Sequence, residues 1–162
     1  MMMRILRSTA QCPLDHRIVV TRHQEVESMC RAAEVPSLLH DLPKRSDTVR
    51  LGVQALLDAE PGLDGILFTA SDQPCLKAIS IQSLCEAFEA EPKYIYRLSW
   101  QGAPSNPVMF PRSTFEDLLN LPEGKGGGAV VKAHPELVRL VEATDEREII
   151  DCDTPEILQS LL

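Results

Sequence analysis

"GILFTASDQP", residues 65–74, decides the fold. Ile66, Leu67 and Phe68 form a short apolar run without alternation, as a strand buried on both faces of a parallel sheet requires. The run stops and Asp72 follows, where such a strand would hand the chain to a loop. In open parallel sheets ligands bind outside these carboxyl ends. A carboxylate there suits a hard divalent cation such as Mg²⁺, which takes one or two carboxylates together with substrate phosphates. Pro74 keeps Gln73 out of helical geometry and so fixes how the loop departs. Asp72 equally suits a turn start or a cap for the next helix, a common use of Asp-x-Pro.

Outward from this strand, short apolar or β-branched runs alternate with helical patterns. Before it, the spacing predicts a helix over residues 2–11, a buried strand at 17–21, a helix at 24–33, a strand at 36–40 and a helix at 46–59 capped by Ser46 or Asp47. After it come a helix at 80–91, an alternating half-buried strand at 93–100 and a short strand at 106–111. A helix capped by Ser113 or Thr114 and another at 129–134 follow. Two short strands, "ELVRLVEA" and "REIID", precede a last helix at 154–162 with Thr154 as its cap and Pro155 at its first position. This order implies an α/β domain with a mainly parallel sheet. No repeat or linker breaks it, so residues 1–162 read as a single domain.

A second acidic strand end strengthens the first. In "IIDCDTPE" a short apolar run ends at Asp151 and Asp153, which alternation puts on the same side of an extended chain. Near Asp72, these would bring three carboxylates to one place. Asp153 could instead only start the last helix, leaving Asp151 solvated. "GKGGG", residues 124–128, can expose successive backbone N–H groups beside Lys125, and "KRSDTVR" sets cations and hydroxyls at a helix start, where anions bind.

The bounds agree with a globular protein. The 162 residues are 44% hydrophobic and 25% charged, and the net charge of −8 excludes a protein that coats nucleic acid, though not one that holds a single nucleotide. No apolar stretch reaches the roughly 20 residues of a membrane span, and the first residues lack a signal-peptide core, so the expected location is the cytoplasm. The five cysteines, Cys12, Cys30, Cys75, Cys85 and Cys152, are scattered and read as reduced thiols.

Taken in order, "RSDTVRLGVQAL", "DGILFTASDQP", "GAPSNPVMFP", "GKGGGAVVKAHPE" and "DCDTPEIL" resemble the MobA-like nucleotidyltransferases, the family of the molybdenum-cofactor cytidylyl- and guanylyltransferases, from about Arg17 to the end. The resemblance implies a Rossmann-like three-layer α/β/α fold. It implies Mg²⁺-dependent transfer of CMP or GMP from a nucleoside triphosphate to a phosphorylated acceptor such as molybdopterin. By position, Asp72 and Asp153 would be catalytic and would hold the metal with Asp151. Ser46, Thr48 and Arg50 would face the nucleotide. Gln73 and Pro74 would bind substrate, Asn106 and Pro107 would line the acceptor side, and Lys125 with Gly126 would form a flexible loop at its mouth. The family's first strand and its L-A-A-G-x-S-x-R-M-G triphosphate loop have no counterpart in these residues, which implies impaired transfer or, alternatively, a non-catalytic ligand- or partner-binding module. A phosphatase-like or response-regulator-like domain also uses strand-end aspartates, but the usual acidic pair after an early strand is missing. Without the first strand, residues 18–20 are expected to pair with 66–68, or a second copy to fill the gap as a homodimer.

Overall fold

A computed structural model describes all residues, Met1–Leu162. The chain forms two compact units that interleave along the sequence. One comprises Met1–Pro13, Leu67–Phe110 and Val138–Leu162, and the other Leu14–Ile66 and Pro111–Leu137.

In the second unit, β1 (Val19–Thr21), α2 (Gln24–Ala32) and β2 (Ser37–Leu39) make a βαβ element, following α1 (Met2–Ala10) in the chain. The two strands pair in parallel, Val19 opposite Ser37 and Thr21 opposite Leu39. Helix α3 (Arg45–Ala59) packs on β1. Gly52 permits the approach, since a Cβ there would lie 3.0 Å from Val20 Cγ2. The helix begins one residue earlier than its sequence suggests. Lys44 is the boundary residue, and Asp47, one turn in, accepts from the Lys44 N–H at 3.2 Å. Ser46 and Asp47 are therefore not its cap, because the extended backbone of Lys44 already supplies the break.

Two short helices complete this unit, α5 (Phe115–Leu119) and α6 (Gly128–Ala133). Thr114 makes no side-chain cap on α5: Arg112–Thr114 is a 3₁₀ turn, and the Thr114 hydroxyl donates to the Pro111 carbonyl at 2.7 Å. His134, just after α6, places Nε2 2.8 Å from Asp117 and Nδ1 3.5 Å from Glu136. The Asp117 hydrogen bond raises the His134 pKa above its ordinary value, partial burial opposes it, and Glu136 adds to the rise. A raised folded-state pKa gives stability that is complete below the unfolded value of about 6.5. It is lost as pH climbs through the folded value. An NMR titration of His134 should show the raised midpoint, and Asp117→Asn should return it towards the unfolded value.

The first unit is built on a sheet in the order β3-β5-β4-β6, with β3 (Gly65–Phe68), β4 (Ile95–Trp100), β5 (Ala103–Pro111) and β6 (Val138–Glu142). Strand β5 runs antiparallel to β4, and β6 parallel to it. Strand β4 does not show the alternation its sequence suggests: Ile95, Tyr96, Leu98 and Ser99 are all buried, and both α4 (Ala78–Ala90) and the turn at Glu146–Ile149 pack against the strand. Helix α4 turns Ile81, Leu84, Cys85 and Phe88 inward at helical spacing, with Phe88 edge-on to Tyr96 at 6.4 Å. The terminal helix α7 (Pro155–Leu161) starts as expected, Thr154 Oγ1 accepting from the Ile157 N–H at 3.3 Å.

The β4–β5 connection is a two-residue hairpin in which Gln101 and Gly102 have φ of 49° and 82°. Positive φ at both central positions is the type I′ turn that matches strand twist. A Cβ on Gly102 would meet nothing within 4 Å, so the cost of Gly102→Ala is conformational alone. It should lower stability by about 1–2 kcal/mol, read from the midpoint of urea unfolding.

One expected strand fails here, and so does one of the two outcomes expected for the sheet gap, direct pairing. "REIID" is no strand, since Glu146–Ile149 is a 3₁₀ turn. Strand β1 pairs with β2 and β3 joins the other sheet, so residues 18–20 and 66–68 form no ladder. The physical reason lies in burial: Val19, Val20, Leu67 and Phe68 are half-buried rather than covered on both faces, so an open edge costs less than the apolar sequences suggest.

Candidate functional site

In the first unit Asp72 lies in the loop that follows β3, half-buried, with Gln73 and Pro74 buried behind it. The Cys152 N–H donates to the Asp72 carbonyl at 2.7 Å. This one backbone bond brings the two acidic segments together. Cys152 points inward while Asp151 and Asp153 are exposed on either side of it, the alternation expected of an extended chain. The Cys152 thiol registers its surroundings: burial raises its pKa first, then Cys75, and then Asp72, Asp153 and Asp151. A thiol held protonated in this way is a packing residue rather than a nucleophile.

The three aspartates do not form a ready-made cage. No group of three or more His, Cys, Asp or Glu side chains is gathered closely enough to hold a metal ion by itself. The reason is the same alternation: Asp151 and Asp153 turn outward around a buried Cys152, so the two segments meet through backbone.

A hydrogen-bond chain holds this arrangement from behind. Gln73, with no exposed surface, donates from Nε2 to Ser105 Oγ at 3.2 Å, and Ser105 Oγ donates to the Ile149 carbonyl at 3.3 Å. Asn106 and the buried Pro107 follow directly on β5. Glu148, also without exposed surface, accepts from the Lys77 N–H at 3.0 Å, the Thr144 N–H at 3.0 Å and the Thr144 hydroxyl at 2.6 Å. It thereby anchors the segment leading to Asp151 onto the start of α4. Sequence reading missed Ser105 and Glu148. A glutamate between Arg147 and Ile149 gave no local sign that it would be buried.

The second unit gathers the other expected residues. Ser46 Oγ accepts from the Gly124 N–H at 3.0 Å, which ties the start of α3 to the glycine-rich loop. Thr48 Oγ1 lies 3.0 Å from His40 Nε2. Arg50 pairs with Asp47 at 3.2 Å and Lys44 with Glu123 at 3.1 Å. Lys44, Ser46, Asp47, Arg50 and Glu123, with Leu119 and Leu121, border a cleft of about 420 Å³, and Thr48 is not among its lining residues. Lys125 is exposed, and Gly126 lies under Arg45, where a Cβ would come 2.7 Å from Arg45 Cδ. Asp72, Gln73, Pro74, Asn106, Pro107, Asp151 and Asp153 thus belong to one unit, and Ser46, Thr48, Arg50, Lys125 and Gly126 to the other.

The MobA-like NTP transferase domain matches residues 1–138. No curated protein matches the sequence. Among solved structures, Rv0371c from Mycobacterium tuberculosis H37Rv superposes with a TM-score of 0.81 at 22% identity, over 99% of this chain and 83% of that one. The same protein in complex with manganese gives 0.77 at 22%, over 99% and 85%. A CMP:2-keto-3-deoxy-manno-octonic acid synthetase complexed with CTP gives 0.74 at 13%, also over 99% and 85%. At these identities the likeness establishes the fold, which is the three-layer α/β/α Rossmann-like arrangement with a mostly parallel sheet.

Proposed function

Because the chain belongs to the MobA-like NTP transferase domain family, we propose that it transfers CMP or GMP from a nucleoside triphosphate to a phosphorylated acceptor such as molybdopterin, in the cytoplasm. The observation that carries this reading is the 2.7 Å bond between Cys152 N–H and the Asp72 carbonyl, which sets Asp72 beside the exposed Asp151 and Asp153. No helix of the protein is long and apolar enough to cross a membrane.

A divalent cation fits these donors, since Mg²⁺ needs few carboxylates and completes its shell with phosphate oxygens. The CTP and manganese bound to structural relatives support the same assignment. When bound, the cation supplies neutralisation of phosphate charge. Asp72 and Asp153 would hold it, with Asp151 alongside. Ser46, Thr48 and Arg50 orient the nucleotide, and Lys125 and Gly126 act as a mobile flank. Gln73, Pro74, Asn106 and Pro107 shape the acceptor side. A phosphate oxygen of the acceptor forms a bond to the α-phosphorus as the bond from that phosphorus to the β-phosphate oxygen breaks, and pyrophosphate leaves with the electron pair. No protein nucleophile takes part.

The test is a pyrophosphate-release assay with CTP or GTP, Mg²⁺ and molybdopterin. Release that needs both the triphosphate and the acceptor supports the reading. Binding of either without release points to the non-catalytic module instead.

A further inference from the structure

Arg97, the charged residue of β4, has a counter-charge nowhere in the protein. It is half-buried between Tyr96 and Leu98 on a strand flanked by β5 and β6. Elsewhere Arg31 is paired with Glu27, Arg50 with Asp47 and Arg147 with Asp145. The Arg97 guanidinium is perturbed by burial alone, with no carboxylate contributing. A partly desolvated cation is costly unless something offsets it.

Its geometry says what that partner must be. Arg97 Nε donates to the Ser105 carbonyl at 3.3 Å, which pins the side chain and leaves the two terminal nitrogens without a protein acceptor. These form a planar fork that matches a pair of phosphate or carboxylate oxygens. Ser105 is also the residue that takes the Gln73 hydrogen bond and passes it to Ile149, so the anchor of Arg97 belongs to the chain behind Asp72. Gln73 Oε1 is also buried without a hydrogen-bond partner, an acceptor that calls for a donor rather than for an anionic group. One chain of residues therefore carries both a cation and an acceptor whose complements the protein does not provide.

We propose that Arg97 is the anion-binding residue of the acceptor subsite, taking a phosphate or carboxylate group of the molecule that receives the nucleotidyl group. This rests on the transfer reading above. The ligand class is an acceptor with an anionic group, and Arg97 would set specificity for it through a bidentate contact.

Titration with inorganic phosphate and, separately, with acetate at constant ionic strength tests the site without any turnover, binding being read by thermal shift and by NMR line broadening. Phosphate or acetate should bind the wild-type protein, and the apparent Kd should rise at least tenfold in Arg97→Met and about threefold or more in Arg97→Lys, which keeps the charge and loses the fork. Arg31→Met, a surface control, should bind as wild type. Preference for phosphate over acetate names the group as a phosphate, and the reverse as a carboxylate. Should Arg97→Met not fold, Arg97→Lys carries the test. In the transfer assay Arg97→Lys should raise KM for the acceptor about threefold or more and leave KM for the triphosphate within twofold. Anion binding that depends on Arg97 in a protein that releases no pyrophosphate would sink the transfer reading and keep the anion site. Transfer with acceptor KM and phosphate binding both unchanged in the Arg97 variants overturns the inference and leaves the transfer reading standing.

Discussion

Asp72→Asn is expected to reduce pyrophosphate release by about 10²–10³-fold, the usual range when a group that stabilises transition-state charge is neutralised. The substitution removes the carboxylate charge and keeps the size of the side chain. It also keeps the bond that positions the site, because Cys152 donates to the Asp72 backbone carbonyl and not to its side chain. Circular dichroism and the unfolding midpoint should therefore stay close to wild type while the rate falls. Activity within threefold of wild type would remove Asp72 from the metal and phosphate chemistry. Binding of the triphosphate in the absence of metal should change little, which separates a catalytic loss from a loss of affinity.

The largest effect on stability is expected from Glu148. Its carboxylate has no exposed surface and accepts from three donors, the Lys77 and Thr144 N–H groups and the Thr144 hydroxyl. Glu148→Ala leaves those donors buried without an acceptor, at about 1–3 kcal/mol each where water cannot reach them. Partial rehydration limits the total to about 2–5 kcal/mol. In a protein of this size that corresponds to roughly 5–15 °C in the unfolding midpoint. Glu148→Gln should fall between, since its amide oxygen can still serve one side while its NH₂ opposes a donor on the other. A calorimetric midpoint for Glu148→Ala within 2 °C of wild type would show that this carboxylate is not a structural anchor. The loss should also be felt in transfer, because Glu148 fixes the approach to Asp151 and Asp153.

Sequence signals were legible where the physics is local. The apolar run of β3, the Thr154–Pro155 start of α7 and the outward alternation of Asp151 and Asp153 around Cys152 depend on neighbours along the chain, and the structure has each of them. Family motifs supplied the expected residues around Asp72. What could not be read depends on partners distant in sequence. The 3₁₀ turn at Glu146–Ile149 looked like a strand because the donors that draw Glu148 inside include Lys77, 71 positions away. Strand β4 looked half-buried because nothing in its own residues tells that α4 and the turn at Glu146–Ile149 pack against it. Arg97 and Ser105 were passed over for the same reason: their meaning is a contact across two strands. The start of α3 was misplaced by one residue because Asp47 serves the first turn of a helix as readily as its boundary.

The interleaving of the two units bears on how the protein is made. Strand β4 is complete at Trp100, yet its parallel neighbour β6 begins only at Val138, after the chain has passed through Pro111–Leu137 of the other unit. At synthesis rates of about 5–20 residues per second, β4 waits roughly 2–8 s for that neighbour. During this interval one edge of an apolar strand stands open on the nascent chain, available to other strands as readily as to its own. The segments of Leu14–Ile66 can form their βαβ element earlier, from contacts already synthesised. Assembly of the acidic loops therefore comes last, when Cys152 emerges and closes on Asp72. A ribosome slowed between Trp100 and Val138 would lengthen the exposure, so the yield of soluble protein should depend on translation speed over that stretch more than over any other.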